Sequence, residues 1–297
     1  MSLIRGILFD IDGSVLPQGD KMHPKVAAVM RLLRLDFGIK LGPATGKNYE
    51  YARGLGIGIG LHWDFIVAET GAQIAELWSP GPPPQWHRIE PPNVPTDDLR
   101  LFAKIIEFDP LRGQFRFRRQ TVRFRNELKS AVLSIFPADN ANPQLTLAWA
   151  EYFRQIIQIH DLRLIVHRFS DGCCDIVPQG INKWLGVEAV CKMCGCEPED
   201  ILTVVDSSND RELVAGPGGR STTPIAVLNA SDEIKKIVGQ QRTFYITSRP
   251  DGFGFCEGLI HYARAGRLPT ELEGEILKIL PDMAPPAHHC AILPIKP

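Results

Sequence analysis

A chain of 297 residues, 44% hydrophobic and 23% charged, is long enough for one large or two modest domains with a real hydrophobic core, at about 100–200 residues per domain. Lys and Arg number 33 against 34 Asp and Glu, a formal charge of -1, which argues against a coat for nucleic acid or anionic lipid and assigns any phosphate preference to a local site. No stretch reaches the roughly 18 consecutive apolar residues of a membrane helix, and seven cysteines, an odd number with no signal-peptide pattern before them, fit reduced thiols in a cytoplasm.

The apolar run from Leu3 to Phe9 ends in Asp10, Ile11, Asp12 and Gly13. It reads as a buried strand with carboxylates at its C-terminal end. Between Pro24 and Phe37, Val26, Val29, Met30, Leu33 and Phe37 recur at helical spacing, and another short apolar run spans Ile39 to Ala44. Strand, helix, strand predicts a parallel sheet. A helix from Asn48 and a loose loop over Gly54, Gly56, Gly58 and Gly60 lead to a third buried strand, Asp64 to Glu69. The Pro-rich stretch Ser79 to Pro95 and the Gly/Pro-punctuated Ser170 to Gly180 then bracket a segment of different texture. Within it, helices around Leu99–Phe108 and Leu145–Ile159 alternate with strands at Ala131–Phe136 and Leu162–Arg168.

Past Gly180 the first pattern resumes: helix Ile181–Gly195, strand Ile201–Asp206, helix Ser208–Ala215, strand Pro224–Leu228. The tail from Pro281 reads as an extended surface strap. The predicted organisation is an α/β protein. Residues 1–79 and 179–297 form a Rossmann-like doubly wound parallel-sheet core, and residues 80–178 an inserted α/β domain.

Open α/β sheets bind ligands at the carboxyl ends of their strands. Four such places are polar here: Asp10 and Asp12 after the first strand, Thr45 with Gly46 and Lys47 after the second, Lys183 opening a helix, and Asp206, Asn209 and Asp210 after a late strand. Paired carboxylates beside a distant acidic pair suit a hard divalent cation such as Mg²⁺, which prefers oxygen ligands. A Thr and a Lys nearby would hydrogen-bond and neutralise phosphate oxygens. Acids, cation and lysine together describe phosphoryl transfer. Any one of these acids alone is better explained as a helix cap or turn former.

The blocks FDIDGSVL, PATGKN, GINKWLG and DSSNDREL occur in this order, each after a predicted strand or at a helix start. With them the chain resembles the haloacid dehalogenase-like phosphohydrolases, in particular the branch with a large cap inserted between the second and third motifs, which includes Cof-type, sucrose-phosphate and mannosyl-3-phosphoglycerate phosphatases. IVAETGAQI, PIAVLNASDEIKKIV and SRPDGFGFCEGLIHY are similar to further family segments. The resemblance implies Asp10 as the nucleophile that forms an aspartyl-phosphate and Asp12 as general acid/base. It implies Mg²⁺ held by Asp10, the backbone carbonyl of Asp12 and Asp206, with Asn209 and Asp210 completing or orienting the shell. Thr45 would hold a phosphate oxygen, Lys183 would spread charge and position Asp10, and Gly13 would let the chain turn beneath the phosphate. Lys47 stands where Arg is usual, Val205 where Gly precedes the third-motif Asp, and Thr70 where Asn is common.

GPATGK is one residue short of a P-loop, and Asn48 follows where Ser or Thr is needed. The alternating glycines lack the acidic ribose partner of a dinucleotide fingerprint. Cys191, Cys194 and Cys196 with His288, His289 and Cys290 could be assembled into a zinc site, but no second CxxC pair exists, and small helix residues are the plainer reading. Arg116, Arg118, Arg119, Arg123 and Arg125 alternate with Phe115, Phe117 and Phe124. They read as a solvated strand face, as a cap surface facing an anionic phosphosugar, or as a nucleic-acid patch, the last disfavoured by net charge. The expected activity is hydrolysis of a small phosphomonoester, a phosphorylated sugar or sugar-acid, with no nucleic acid or membrane partner. The alternatives are a phosphomutase of the same superfamily and a non-catalytic phosphosugar-binding protein; the intact acids at positions 10, 12, 206 and 210 weigh against the latter.

Overall fold

The structure is a computed structural model and describes residues 2–79, 85–89, 96–109, 112, 114–123, 129–135, 143–168 and 173–283. The chain opens with β1 (Gly6–Phe9), buried at every position. An unbroken apolar strand is what a position covered on both faces requires. Helix α1 (Pro24–Leu35) starts where His23 accepts the backbone N–H of Lys25 and Pro24 supplies a preset φ. It buries Val26, Ala27, Val29, Met30 and Leu33, each large apolar side chain contributing about 1.5–3 kcal/mol. Strand β2 (Lys40–Pro43) follows, then α2 (Tyr49–Gly58), whose Asn48 cap accepts the N–H of Tyr51.

Helix α2 is a correction to the loop expected over the glycine run, since Gly54, Gly56 and Gly58 all lie inside it. At Gly56 the reason is contact: an added Cβ would stand 2.7 Å from Nε1 of Trp63, a fully buried indole that donates to Ala52 O. Strand β3 (Phe65–Ala68) runs beside the end of β2, joined by Thr45 N–H to Val67 O at 2.8 Å. It forms an antiparallel sheet with β4 (Gln73–Ser79) and β5 (Gln85–Ile89). The Pro-rich stretch therefore contains a strand. The core-side sheet runs on to Ile89, past residue 80, and Trp86 packs against the main core.

The insert continues with α3 (Thr96–Ile105), the hairpin β6 (Gln114–Phe117) and β7 (Gln120–Arg123), β8 (Leu133–Ile135), α4 (Pro143–Ile159), β9 (Leu164–Arg168) and β10 (Cys174–Pro178). The last three strands form an antiparallel sheet in the order β8-β10-β9. Leu99, Phe102, Phe115, Trp149, Phe153 and Ile176 belong to a hydrophobic cluster of the insert's own, separate from that of the main sheet.

The chain returns through α5 (Trp184–Cys194), β11 (Ile201–Val205), α6 (Arg211–Val214), β12 (Thr223–Ala226), α7 (Asp232–Val238), β13 (Tyr245–Ile246), α8 (Asp251–Arg264) and α9 (Glu271–Ile279). The main sheet is wholly parallel with order β13-β12-β11-β1-β2. This is the doubly wound α/β core expected. The chain leaves β1 toward β2 on one side and returns to β11 on the other, which creates the crevice at the strand ends where such folds bind ligands. Residues Pro281–Met283 form a short helical turn with Met283 buried, not an extended strap; the rest of the tail lies outside the described residues. Among the described residues no helix is long and apolar enough to cross a membrane.

Candidate active site

Asp10 is the first residue past β1, Thr45 the second past β2, and Asp206 the first past β11, so three adjacent parallel strands deliver them to one edge of the sheet. Asp10 N–H donates to Val204 O at 3.0 Å, which extends the ladder one residue and fixes where the carboxylate leaves the strand. Lys183, whose side chain is fully buried, donates to Asp10 Oδ1 at 2.7 Å and to Asp210 Oδ1 at 2.6 Å. The other oxygen of Asp210 accepts the backbone N–H groups of Asp206 (3.2 Å) and Ser207 (3.3 Å). Both its oxygens are thus committed, and Asp210 orients Lys183 and the turn that carries Asp206.

The carboxylates of Asp10, Asp206 and Asp210 each offer an oxygen within 4.8 Å of the others. Three carboxylates face one ammonium. Burial pushes Asp10 up to about 7 against the pull of Lys183, while burial and repulsion from Asp210 and Asp10 push Asp206 up to about 8. Burial works against the Lys183 ammonium, but the two carboxylates outweigh it and hold its pKa above the usual lysine value. An excess of buried negative charge presented entirely by oxygen fits a hard divalent cation. Asn209, on the same turn, is hydrogen-bonded to Ser207.

Asp12 is more exposed than Asp10, about 29% against 7% by side chain, and its Oδ2 is 3.6 Å from Lys47 Nζ. Gly13, at φ 86°, occupies left-handed backbone, and an added Cβ would lie 2.3 Å from Asp206 Oδ2. Glycine is required on both counts. Thr45 is buried, and its Oγ1 accepts the Lys47 N–H at 3.1 Å, so its own proton remains to donate. The structure thus gathers Asp10, Asp12, Gly13, Thr45, Gly46, Lys47, Lys183, Asp206, Asn209 and Asp210 at the C-terminal edge of β1, β2 and β11.

For the arginines of the insert, the described contacts are local. Arg116 pairs with Glu107 at 3.6 Å, Arg118 lies over the Phe117 ring at 5.2 Å, and Arg119 is exposed. Those partners belong to the insert itself. Arg118 and Arg119, at φ 48° and 66°, form the hairpin tip between β6 and β7. Arg123 ends β7, and its side chain and the whole of Arg125 lie outside the described residues. Cys191, Cys194 and Cys196 lie at the far end of α5, where Cys191 and Cys196 line a surface cleft of about 610 Å³ with Glu188, Lys192 and Arg220. Burial pushes the Cys191 thiol up to about 12 and that of Cys196 up to about 11. His288, His289 and Cys290 lie outside the described residues.

Sequence reasoning missed three supporting residues. Ser14 donates to Asp206 Oδ1 at 2.9 Å. Asn229 donates to Gly13 O at 2.7 Å while accepting the N–H of Asp251, so it ties the loop after β1 to α8. Glu69 is buried beside the Thr45 loop. All three lie in segments that resemble the family, Ser14 in FDIDGSVL, Glu69 in IVAETGAQI and Asn229 in PIAVLNASDEIKKIV, but the sequence assigned none of them a role.

A profile of the haloacid dehalogenase-like hydrolases matches residues 101–242. Phosphoglycolate phosphatase 1 of Saccharolobus solfataricus is 26% identical over 259 residues, 86% of this chain and 94% of that protein. The phosphoglycolate phosphatase of Methanopyrus kandleri is 23% identical over 231 residues, 78% of this chain and 87% of that protein. Among solved structures, sucrose-phosphatase from Synechocystis, in complex with sucrose and phosphate, gives a TM-score of 0.58 at 18% identity, covering 88% of this chain and 98% of that one. That last likeness concerns the fold alone. The parallel sheet with its inserted domain is the fold of that solved structure, and over residues 101–242 the chain is similar to the haloacid dehalogenase-like hydrolases.

Proposed function

We propose that the protein is a Mg²⁺-dependent phosphomonoesterase that works through an aspartyl-phosphate on Asp10 and acts on a phosphorylated sugar or sugar-acid. The observation that carries this reading is the buried Asp10–Lys183–Asp210 triad, with Asp206 beside it and a more accessible acid, Asp12, two residues on. Lys183 holds Asp10 by Oδ1, and Oδ2 is the attacking atom. The Oδ2–P bond forms as the ester P–O bond breaks, and Asp12 gives its proton to the departing alkoxide. Asp12 then takes a proton from water, whose oxygen attacks phosphorus. The P–Oδ2 bond breaks, inorganic phosphate leaves and the Asp10 carboxylate is restored.

The greater exposure of Asp12 suits a group that must meet first a leaving group and then water. Thr45 donates its hydroxyl proton to a phosphoryl oxygen, the Gly46 backbone admits the phosphate closely, and Lys47 neutralises charge at the same edge. Asp10, Asp206 and the Asp12 backbone carbonyl would hold Mg²⁺, with Asp210 and Asn209 orienting them. When bound, the ion screens the Asp10 carboxylate from the phosphate it attacks and polarises a phosphoryl oxygen.

The insert acts as a cap that excludes bulk water and selects the alcohol. Relatives named phosphoglycolate phosphatases favour the acidic end of the substrate range, a small phosphorylated hydroxy- or sugar-acid. The test is phosphate release from phosphosugars, phosphoglycerates, phosphoglycolate and nucleotides, with Mg²⁺ and after metal stripping. Release from a sugar or sugar-acid ester only with Mg²⁺ is the expected result. Full activity in the stripped enzyme, or turnover confined to nucleotides, would overturn the reading.

A further inference from the structure

The turn after β3 performs a task that the chemistry above leaves unassigned. Glu69 and Thr70 are held in left-handed backbone, φ 49° and 59°, a conformation that costs a non-glycine residue free energy and persists only where its surroundings fix it. Those surroundings are the phosphate loop: Glu69 N–H donates to Lys47 O at 2.9 Å, and Thr70 N–H donates to Thr45 O at 3.0 Å. The backbone of the turn therefore clamps both ends of Thr45-Gly46-Lys47.

The Glu69 side chain points the other way along the joint. It is about 1% exposed, and its carboxylate accepts the N–H of Ser130 at 2.9 Å and of Ala131 at 2.7 Å, two backbone groups of the insert. Gln73 Nε2 donates to the same carboxylate at 2.9 Å. Ala72 of the core side and Ala131, Val132, Val177 and Ile181 form a small apolar cluster at the same joint. Burial raises the Glu69 pKa, and the hydrogen bonds from Ser130 and Ala131 oppose it.

We infer that Glu69 is a positioning residue, a charged pin that fixes the cap's attachment relative to the Thr45–Lys47 phosphate loop. The inference rests on the phosphatase reading and extends it to how the cap is placed. A carboxylate shared by two backbone donors is directional, so it sets an angle as well as a contact. Loss of the pin displaces the cap while the clamp, made of backbone groups, survives the substitution. A misplacement of about 1 Å can cost about a hundredfold in rate, and only a substrate that uses the cap feels it.

The test compares Glu69→Ala and Glu69→Gln with the parent enzyme on two esters: the preferred phosphosugar or phosphoglycerate from the screen above, and p-nitrophenyl phosphate, which lacks the sugar-acid portion. The expected result is a fall of about 10–100-fold in kcat/KM for the first ester with Glu69→Ala, a smaller fall with Glu69→Gln, which keeps one acceptor and the same shape, and near-parental rates on the aryl phosphate. Amide exchange at Ser130 and Ala131 should accelerate in step. Parallel losses on both esters in a folded Glu69→Gln, or no loss on either, would overturn the inference. If the parent enzyme hydrolysed neither ester, the phosphatase reading would fail instead. Exchange at Ser130 and Ala131 would then decide the pin by itself: acceleration in Glu69→Ala supports it, and unchanged protection overturns it.

Discussion

Lys183 lies with its side chain fully buried between two carboxylates, Asp10 at 2.7 Å and Asp210 at 2.6 Å. An ammonium so placed is worth less as a source of stability than as a device that points Asp10 Oδ1 one way and, on the proposed mechanism, leaves Oδ2 for attack. Removing it strands two buried acids. Lys183→Met should therefore lose about 3–5 kcal/mol of stability in urea unfolding near neutral pH, together with activity. Asp10→Asn should behave oppositely. Its amide oxygen can still accept from Lys183, while one of the crowded negative charges is gone. The metal-free variant should be inert yet more stable than the parent near pH 8, by an amount on the order of 1–3 kcal/mol, because Asp10 is held well above its ordinary pKa by burial. Steady-state turnover by Asp10→Asn would sink the covalent mechanism, and equal or lower stability without metal would refute the crowded-charge account.

At the scale of elements, the hairpin β6–β7 puts the arginine question in geometric form. Phe115 and Phe117 are buried in the insert's core while Arg116, on the alternate face of the same strand, is exposed and pairs with Glu107. Alternation in a strand produces this pattern without any ligand. Ala substitutions at Arg116, Arg118 and Arg119 are expected to leave kcat/KM for the preferred ester within about twofold, as exposed ion pairs contribute little; a tenfold selective loss at any of them would restore substrate contact. Strands β1, β2 and β11 were legible because burial makes them nearly continuous apolar runs that lead to a motif acid or threonine, whereas the two-residue β13, Tyr245–Ile246, is too short to give such a run. Helix α2 was obscured because glycine has poor helix propensity, and its presence at position 56 answers to Trp63, a contact local periodicity does not encode. The strand β5, Gln85–Ile89, was hidden by the prolines around it. Asn229 and Glu69 lie in segments that the sequence singled out, yet their roles were not legible for a related reason: each acts on a loop far away in sequence, Gly13 or Ser130, and its own neighbourhood does not announce that partner.

For the molecule as a whole, the acidic cluster couples folding, pH and metal. Asp10 and Asp206 are raised from an ordinary value of 3.8 to about 7 and about 8. Between the unfolded and folded pKa values the folded chain binds more protons than the unfolded one, so the contribution of these groups to stability is greatest in acid and declines as pH climbs from about 4 to about 8. A divalent cation meets the ionised carboxylates and is opposed by their protons, so its stabilisation grows across the same window. The rise in Tm produced by Mg²⁺ over chelator should accordingly be near zero at about pH 5 and reach its full size by about pH 8.5. At a hundredfold excess over Kd that full size corresponds to about 2.7 kcal/mol. Asp206→Asn should flatten both trends, since it removes a raised carboxylate and a proposed metal ligand together. Thermal unfolding across this pH range, with Mg²⁺ and with chelator, checks the coupling. A Mg²⁺-induced shift as large in acid as in base would mean that the ion binds away from Asp10 and Asp206, because no cation held by those carboxylates can be indifferent to the protons that compete for them.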